Sequence, residues 1–100
     1  MIVVVGYLTL KADAKDAAVA AVRELVTATR AESGNVDYRY SFDLDDETRL
    51  NLTEIWDDED ALNAHMATDH MAAFLGQVGD YVGGAVDIVR YDVSGSTKIF

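Results

Sequence analysis

Hydrophobic and polar positions alternate most cleanly from Val36 to Leu44, with Val36, Tyr38, Tyr40, Phe42 and Leu44 on one parity. Asp37, Arg39, Ser41 and Asp43 occupy the other. A period of two predicts a strand buried on one face. After a polar stretch, Asp45-Asp46-Glu47-Thr48, the alternation resumes from Arg49 to Trp56. Leu50, Leu52, Glu54 and Trp56 share one face of this second run, opposite Arg49, Asn51, Thr53 and Ile55. The two runs read as a hairpin, although the turn lacks the Asn-Gly signature of the tightest connections.

The segments on either side complete the pattern. Ile2 to Leu10 is apolar on both parities over its first half, as in a strand covered on both faces. Gly6 inside it marks a bulge or the close approach of another group. Asp13 is the expected N-cap of a helix running to about Glu32, with Asp16 as a weak capping-box partner. Ala18, Val22, Leu25, Val26 and Thr29 form its buried stripe. Ser33-Gly34 ends it, Gly34 being free to adopt the left-handed conformation.

Beyond the hairpin, Asp57 is the expected cap of a short helix with an acidic first turn and with Leu62, His65 and Met66 on one face. Thr68 caps another, from Asp69 to about Tyr81, with Met71, Phe74, Leu75 and Val78 inward. Gly83-Gly84 breaks the chain before a last strand, Ala85 to Val93. The order is β-α-β-β-α-β, two short helices sharing the second crossover. It predicts one α+β domain over residues 1–100, with a ferredoxin-like, antiparallel four-stranded sheet. Helices on one side leave the other sheet face uncovered, so a homodimer is expected.

Composition narrows the function classes. Eighteen acidic residues against 8 basic ones give a net charge of −10, and the basic residues are scattered singly. Such a surface repels a phosphate backbone, so no nucleic-acid partner is expected. The absence of cysteine removes disulfides, thiolate nucleophiles, cysteine zinc sites and cysteine-ligated iron–sulfur clusters. Ile2 to Val5 is too short for a signal peptide's apolar region or a membrane span, and the expected location is the cytoplasm. No glycine-rich phosphate loop follows a strand, and no G-x-S-x-G elbow is present.

The chemistry-bearing residues concentrate between Glu54 and Phe74, which hold the only tryptophan and both histidines. Glu54, His65 and His70 are the candidate catalytic groups. Trp56, Tyr38, Met66 and Phe74 are the candidate walls of a substrate site. Each also has a purely structural reading, with Trp56 and His65 as core and Glu54 bonded at the sheet rim. On a continuous helix His65 and His70 would stand about 140° apart, which argues against chelation from one face. A break near Ala67-Thr68 would relax that, with Glu54 as third ligand. No metal site is expected, because the short-spaced ligand sets of zinc sites are missing.

Glu54-x-Trp56, followed by Leu62-x-Ala64-His65-x-x-Thr68-x-His70-Met71-x-x-Phe74, resembles the antibiotic biosynthesis monooxygenase (ABM) family, nearest its small quinol-monooxygenase-like members. Glu32-x-Gly34-Asn35-x-x-Tyr38 is similar to the same family. The resemblance implies a dimeric α+β barrel with a pocket between sheet and helices. It also implies cofactor-independent oxidation of a quinol-like or polyphenolic aromatic substrate by O2. A haem-degrading branch carries a Trp and a His ten residues apart, where this chain has His65 and Leu75. An isomerase branch shares His-x-x-Thr-x-His, so isomerisation of a small carbonyl compound is the alternative, with non-catalytic ligand binding as a third reading. Triplet O2 reacts with a closed-shell molecule only where single electrons can pass, and an electron-rich phenolate can donate one itself. Such a reaction requires a base, aromatic walls and a dry pocket. His65 or His70 is the candidate base, imidazole being the side chain that changes charge nearest neutrality. Glu54 is the candidate for fixing its tautomer or holding a substrate hydroxyl.

Overall fold

The computed structural model describes residues 1–100 and contains four strands and three helices. In chain order they are β1 (Ile2–Leu10), α1 (Lys15–Arg30), β2 (Asn35–Phe42), β3 (Arg49–Trp56), α2 (Glu59–Met66), α3 (Asp69–Val78) and β4 (Val82–Asp92). The sheet is wholly antiparallel in the order β2-β3-β1-β4, the ferredoxin-like arrangement. Its centre is the β1–β3 pair, in which Val4 lies opposite Glu54 and Leu8 opposite Leu50. No helix is long and apolar enough to cross a membrane.

The core lies between one sheet face and the helices. β1 contributes Ile2, Val4, Leu8 and Leu10, and β3 contributes Leu50, Leu52 and Trp56. Ala18, Val22 and Leu25 of α1 pack on them, as do Met71 and Phe74 of α3. Four apolar side chains of β1 on one parity, each removed from water at roughly 1.5–3 kcal/mol, pin its register. Gly6 interrupts that parity because β4 passes close by, and a Cβ there would collide with the Asp87 carbonyl oxygen.

Several local expectations are corrected. Asp13 does not cap α1. The chain turns between Lys11 and Ala14, placing Ala14 in the cap position and against the core, with no side-chain cap bond. Val36 is not inward. A bulge between Asn35 and Asp37 makes it the extra residue of β2, and it is 59% exposed. Leu44 lies beyond the end of β2 and is fully exposed. Asp58 rather than Asp57 caps α2, accepting from the Ala61 amide at 2.9 Å. The Asp57 amide still donates to the Gly34 carbonyl, extending the β2–β3 pairing by one residue.

Helix α3 ends at Val78, three residues before Tyr81, although the Tyr81 amide still reaches the Val78 carbonyl at 3.0 Å. Leu75 is half-exposed, at the margin of the space between α3 and the sheet. Gly83 and Gly84 do not break the chain, because β4 begins at Val82 and runs through them. They lie against the end of β1, where side chains would press on Lys11 and Thr9 and where the β1–β4 register shifts. Gly34 adopts φ +82°, the left-handed turn that delivers the chain from α1 into β2.

Candidate active site

Two residues at the end of β3 set the floor of the site. Glu54 and Trp56 share the inward parity of the strand, and the Trp56 indole N–H donates to Glu54 Oε1 at 3.0 Å. Trp56 is fully buried. Burial pushes the Glu54 carboxyl above the ordinary range, more than the Trp56 hydrogen bond and the nearby His65 hold it down.

Against this floor stands His65, on the last turn of α2 and 1% exposed. Its ring lies 4.7 Å from the Trp56 ring and meets Tyr38 edge-on at 5.3 Å. Helix α2 stops at Met66. Thr68 then donates its hydroxyl to the His65 carbonyl at 2.7 Å and accepts from the Met71 amide at 3.3 Å, opening α3. That break turns His70 toward His65, and the two ring centroids are 6.0 Å apart.

Both imidazoles converge on Glu32, just past the end of α1. His65 Nδ1 is 2.7 Å and His70 Nε2 is 2.8 Å from the same oxygen, Glu32 Oε2. A carboxylate oxygen only accepts, so each of these nitrogens carries a hydrogen. A neutral imidazole has a single N–H, so in that form this hydrogen bond leaves the lone pair on Nε2. Thr29 Oγ1 is the one fully buried side-chain polar atom without a partner. His65 Nε2 makes no hydrogen bond within the protein, although the ring as a whole is 1% exposed.

Beside His65 is a cavity of about 500 Å³ between the sheet and helices α2 and α3. Its lining is mostly apolar and includes Leu62, Met71, Phe74 and Val86. The polar groups at its wall are Tyr38, Tyr40, Glu54, His65, Asn63 and Arg90. Burial pushes the Tyr38 hydroxyl far above the usual phenol range and the Tyr40 hydroxyl up to about 12, so both remain neutral donors. Arg90 already engages Asp92 at 2.9 Å and Glu59 at 3.3 Å.

Of the residues singled out in the sequence, Tyr38, Glu54, His65, Met66 and Phe74 line this cavity. Met66 does so from a half-exposed position at its margin. Trp56 is not a wall, since it backs His65 and is sealed from the cavity. His70 does not line it and faces Glu32 with a side chain 27% exposed. Glu54 does not fix the imidazole tautomer, because it is held by Trp56 while Glu32 takes that role. Sequence reasoning missed Glu32 as a site residue, and also Tyr40 and Arg90. The Glu-x-Gly-Asn pattern at Glu32 was the available signal, read there as a helix end and a point of family resemblance but not as part of the site.

The fold and the site together define a small α+β protein with an apolar pocket and an imidazole–carboxylate–imidazole cluster at its edge. The chain matches the family "Antibiotic biosynthesis monooxygenase" over residues 1–77 and belongs to it. It is 29% identical over 94 residues to a Bacillus subtilis (strain 168) protein named "Putative monooxygenase YcnE", covering 94% of this chain and 99% of that one. Among solved structures, one described as an antibiotic biosynthesis monooxygenase superposes with a TM-score of 0.87 at 27% identity, covering 95% of this chain and 100% of the other. Rv0793 from Mycobacterium tuberculosis superposes with a TM-score of 0.88 at 25% identity, covering 97% and 98%. Family and relatives support monooxygenase-type chemistry.

Proposed function

We propose that this protein is a cofactor-independent monooxygenase that oxidises a quinol-like or polyphenolic aromatic substrate with O2, working as a homodimer in the cytoplasm. The observation that carries this reading is His65, in the wall of an apolar cavity with Nδ1 held by Glu32, the hydrogen bond that leaves a neutral ring's lone pair on Nε2. In that tautomer Nε2 is the base that takes a proton from a phenolic hydroxyl. Glu54, Tyr38 and Tyr40 provide hydrogen-bonding groups for the second hydroxyl, and Phe74, Met71 and Leu62 exclude water from the ring. The resulting phenolate passes one electron to O2, and the radical pair joins at a ring carbon. One oxygen atom stays on that carbon as the product becomes a hydroxyquinone. The other leaves as water with two hydrogens from the substrate, which supplies all four electrons. Glu32 and His70 act as positioning residues through His65.

The test is O2 uptake by chelator-treated protein against a panel of hydroquinones and polyphenols, with autoxidation blanks. Wild-type uptake should exceed the blank, and His65→Ala should lower kcat by about 10²–10⁴-fold, the usual contribution of a general base. Glu32→Gln should lower kcat with little change in KM, because it releases the His65 tautomer without altering the cavity. Uptake no faster than autoxidation across the panel overturns the reading. Conversion of a carbonyl substrate without O2 would establish the isomerase alternative instead.

A further inference from the structure

We propose that Glu32, His65 and His70 also form a binding site for a divalent transition-metal ion of the zinc class, and that the bound ion withdraws His65 from acid–base work. Each residue offers one ligand atom, and the three atoms lie within 4.8 Å of one another. Two imidazole nitrogens and one carboxylate oxygen suit zinc, cobalt or nickel, whereas calcium and magnesium select oxygen ligands. In the sequence, a continuous helix would separate the two histidines, a break near Ala67-Thr68 would relax that with Glu54 as third ligand, and no short-spaced ligand set is present. The structure has that break, and it supplies Glu32 rather than Glu54 as the third ligand, from a position remote in sequence.

One ligand, His65, is held in place before any ion arrives. His65 is packed by Trp56 and Tyr38, and its carbonyl is tied to Thr68. The Glu32 side chain is only 14% exposed, while His70, at 27%, leaves an open side through which an ion and a water ligand can reach the cluster. At present two N–H groups meet at Glu32 Oε2. An ion at about 2.0–2.2 Å from each donor takes the place of those two hydrogens once Glu32 and His70 adjust around it, because oxygen–nitrogen separations of 2.7 and 2.8 Å are hydrogen-bond spacings.

The exchange has a consequence at the far side of the ring. When Nδ1 of a neutral His65 binds metal, its single hydrogen must sit on Nε2. The ring's second nitrogen is then a donor where it had been an acceptor, and His65 can no longer take a substrate proton. This second half of the inference rests on His65 being the base proposed above, whereas binding itself does not.

The experiment uses the untagged, chelator-stripped chain titrated with cobalt(II) and zinc at neutral pH. Calorimetry and cobalt visible absorption should give one ion per chain, with no comparable binding of magnesium or calcium. His70→Ala, at a partly exposed position the fold tolerates, should weaken binding by more than about 100-fold, beyond the 10–100-fold lost with partners one step removed from a metal. Glu32→Gln should act in the same direction. Nitrogen-15 NMR of the imidazoles should show zinc moving the His65 hydrogen from Nδ1 to Nε2. No cobalt uptake, uptake unchanged in both variants, or a His65 hydrogen remaining on Nδ1 would each overturn the site. Saturating zinc should lower O2 uptake more than tenfold, and bound zinc with unaltered turnover would overturn the regulatory half alone.

Discussion

Glu54 is placed at odds with its own chemistry, a carboxyl group buried beside an apolar cavity with one indole N–H to hold it. Its pKa is raised on folding, so folding favours the protonated form. The corresponding stability is fully present below the ordinary glutamate range, about 4.3, and is lost as pH rises through the raised folded value. Glu54→Gln keeps the shape and an acceptor for Trp56 but never ionises. Its stability relative to wild type should therefore increase from acid toward neutral pH, then level off. Urea unfolding across that range checks this, and an advantage that shrinks with rising pH would contradict it. At the same scale, Glu54 and Trp56 were legible because strand parity put them on one face. Glu32 was not, since it lies 33 and 38 positions from its histidine partners and only the folded chain brings them together.

At the scale of elements, β1 and β3 run from Ile2 to Leu10 and from Arg49 to Trp56, as their patterns predicted. Both are central strands whose apolar residues pack on helices, so burial and parity agree. Edge elements were read less well. Val36 belongs to a bulge, and Gly83-Gly84 continue a strand because β1 passes too close for side chains. No sequence period reports such long-range approaches. The break between α2 and α3 was legible through Thr68, and it governs the site because it alone lets His65 and His70 reach one oxygen. Thr68→Ala removes the cap of α3 and the tie to the His65 carbonyl. It should destabilise the protein by about 0.5–2 kcal/mol, as cap losses do, while Thr68→Ser stays within roughly 0.5 kcal/mol of wild type. Chemical unfolding of the pair measures this, and a Ser variant as weak as Ala would refute the hydroxyl's role.

The whole molecule presents a sheet with only one face covered. On the other face Val3 lies opposite Ile55 and Tyr91, and Val5 lies opposite Val89. Val5, Val89 and Tyr91 are exposed, and β4 has scarcely a residue shielded from solvent. Contiguous apolar surface of this kind on a small protein marks an interaction site. A second copy offering the same patch would bury it by two-fold self-complementarity. Each copy carries a net charge of −10, so like-charge repulsion opposes association and added salt should screen it. Sedimentation equilibrium should therefore give twice the chain mass, with tighter association in high salt than in low. Val5→Glu with Val89→Glu places new charges at the centre of the patch and should yield monomers. Neither side chain lines the cavity, so a monomeric variant that still consumes O2 would show that each chain's site works alone. A wild-type chain that sediments as a monomer at every salt concentration would overturn the dimer.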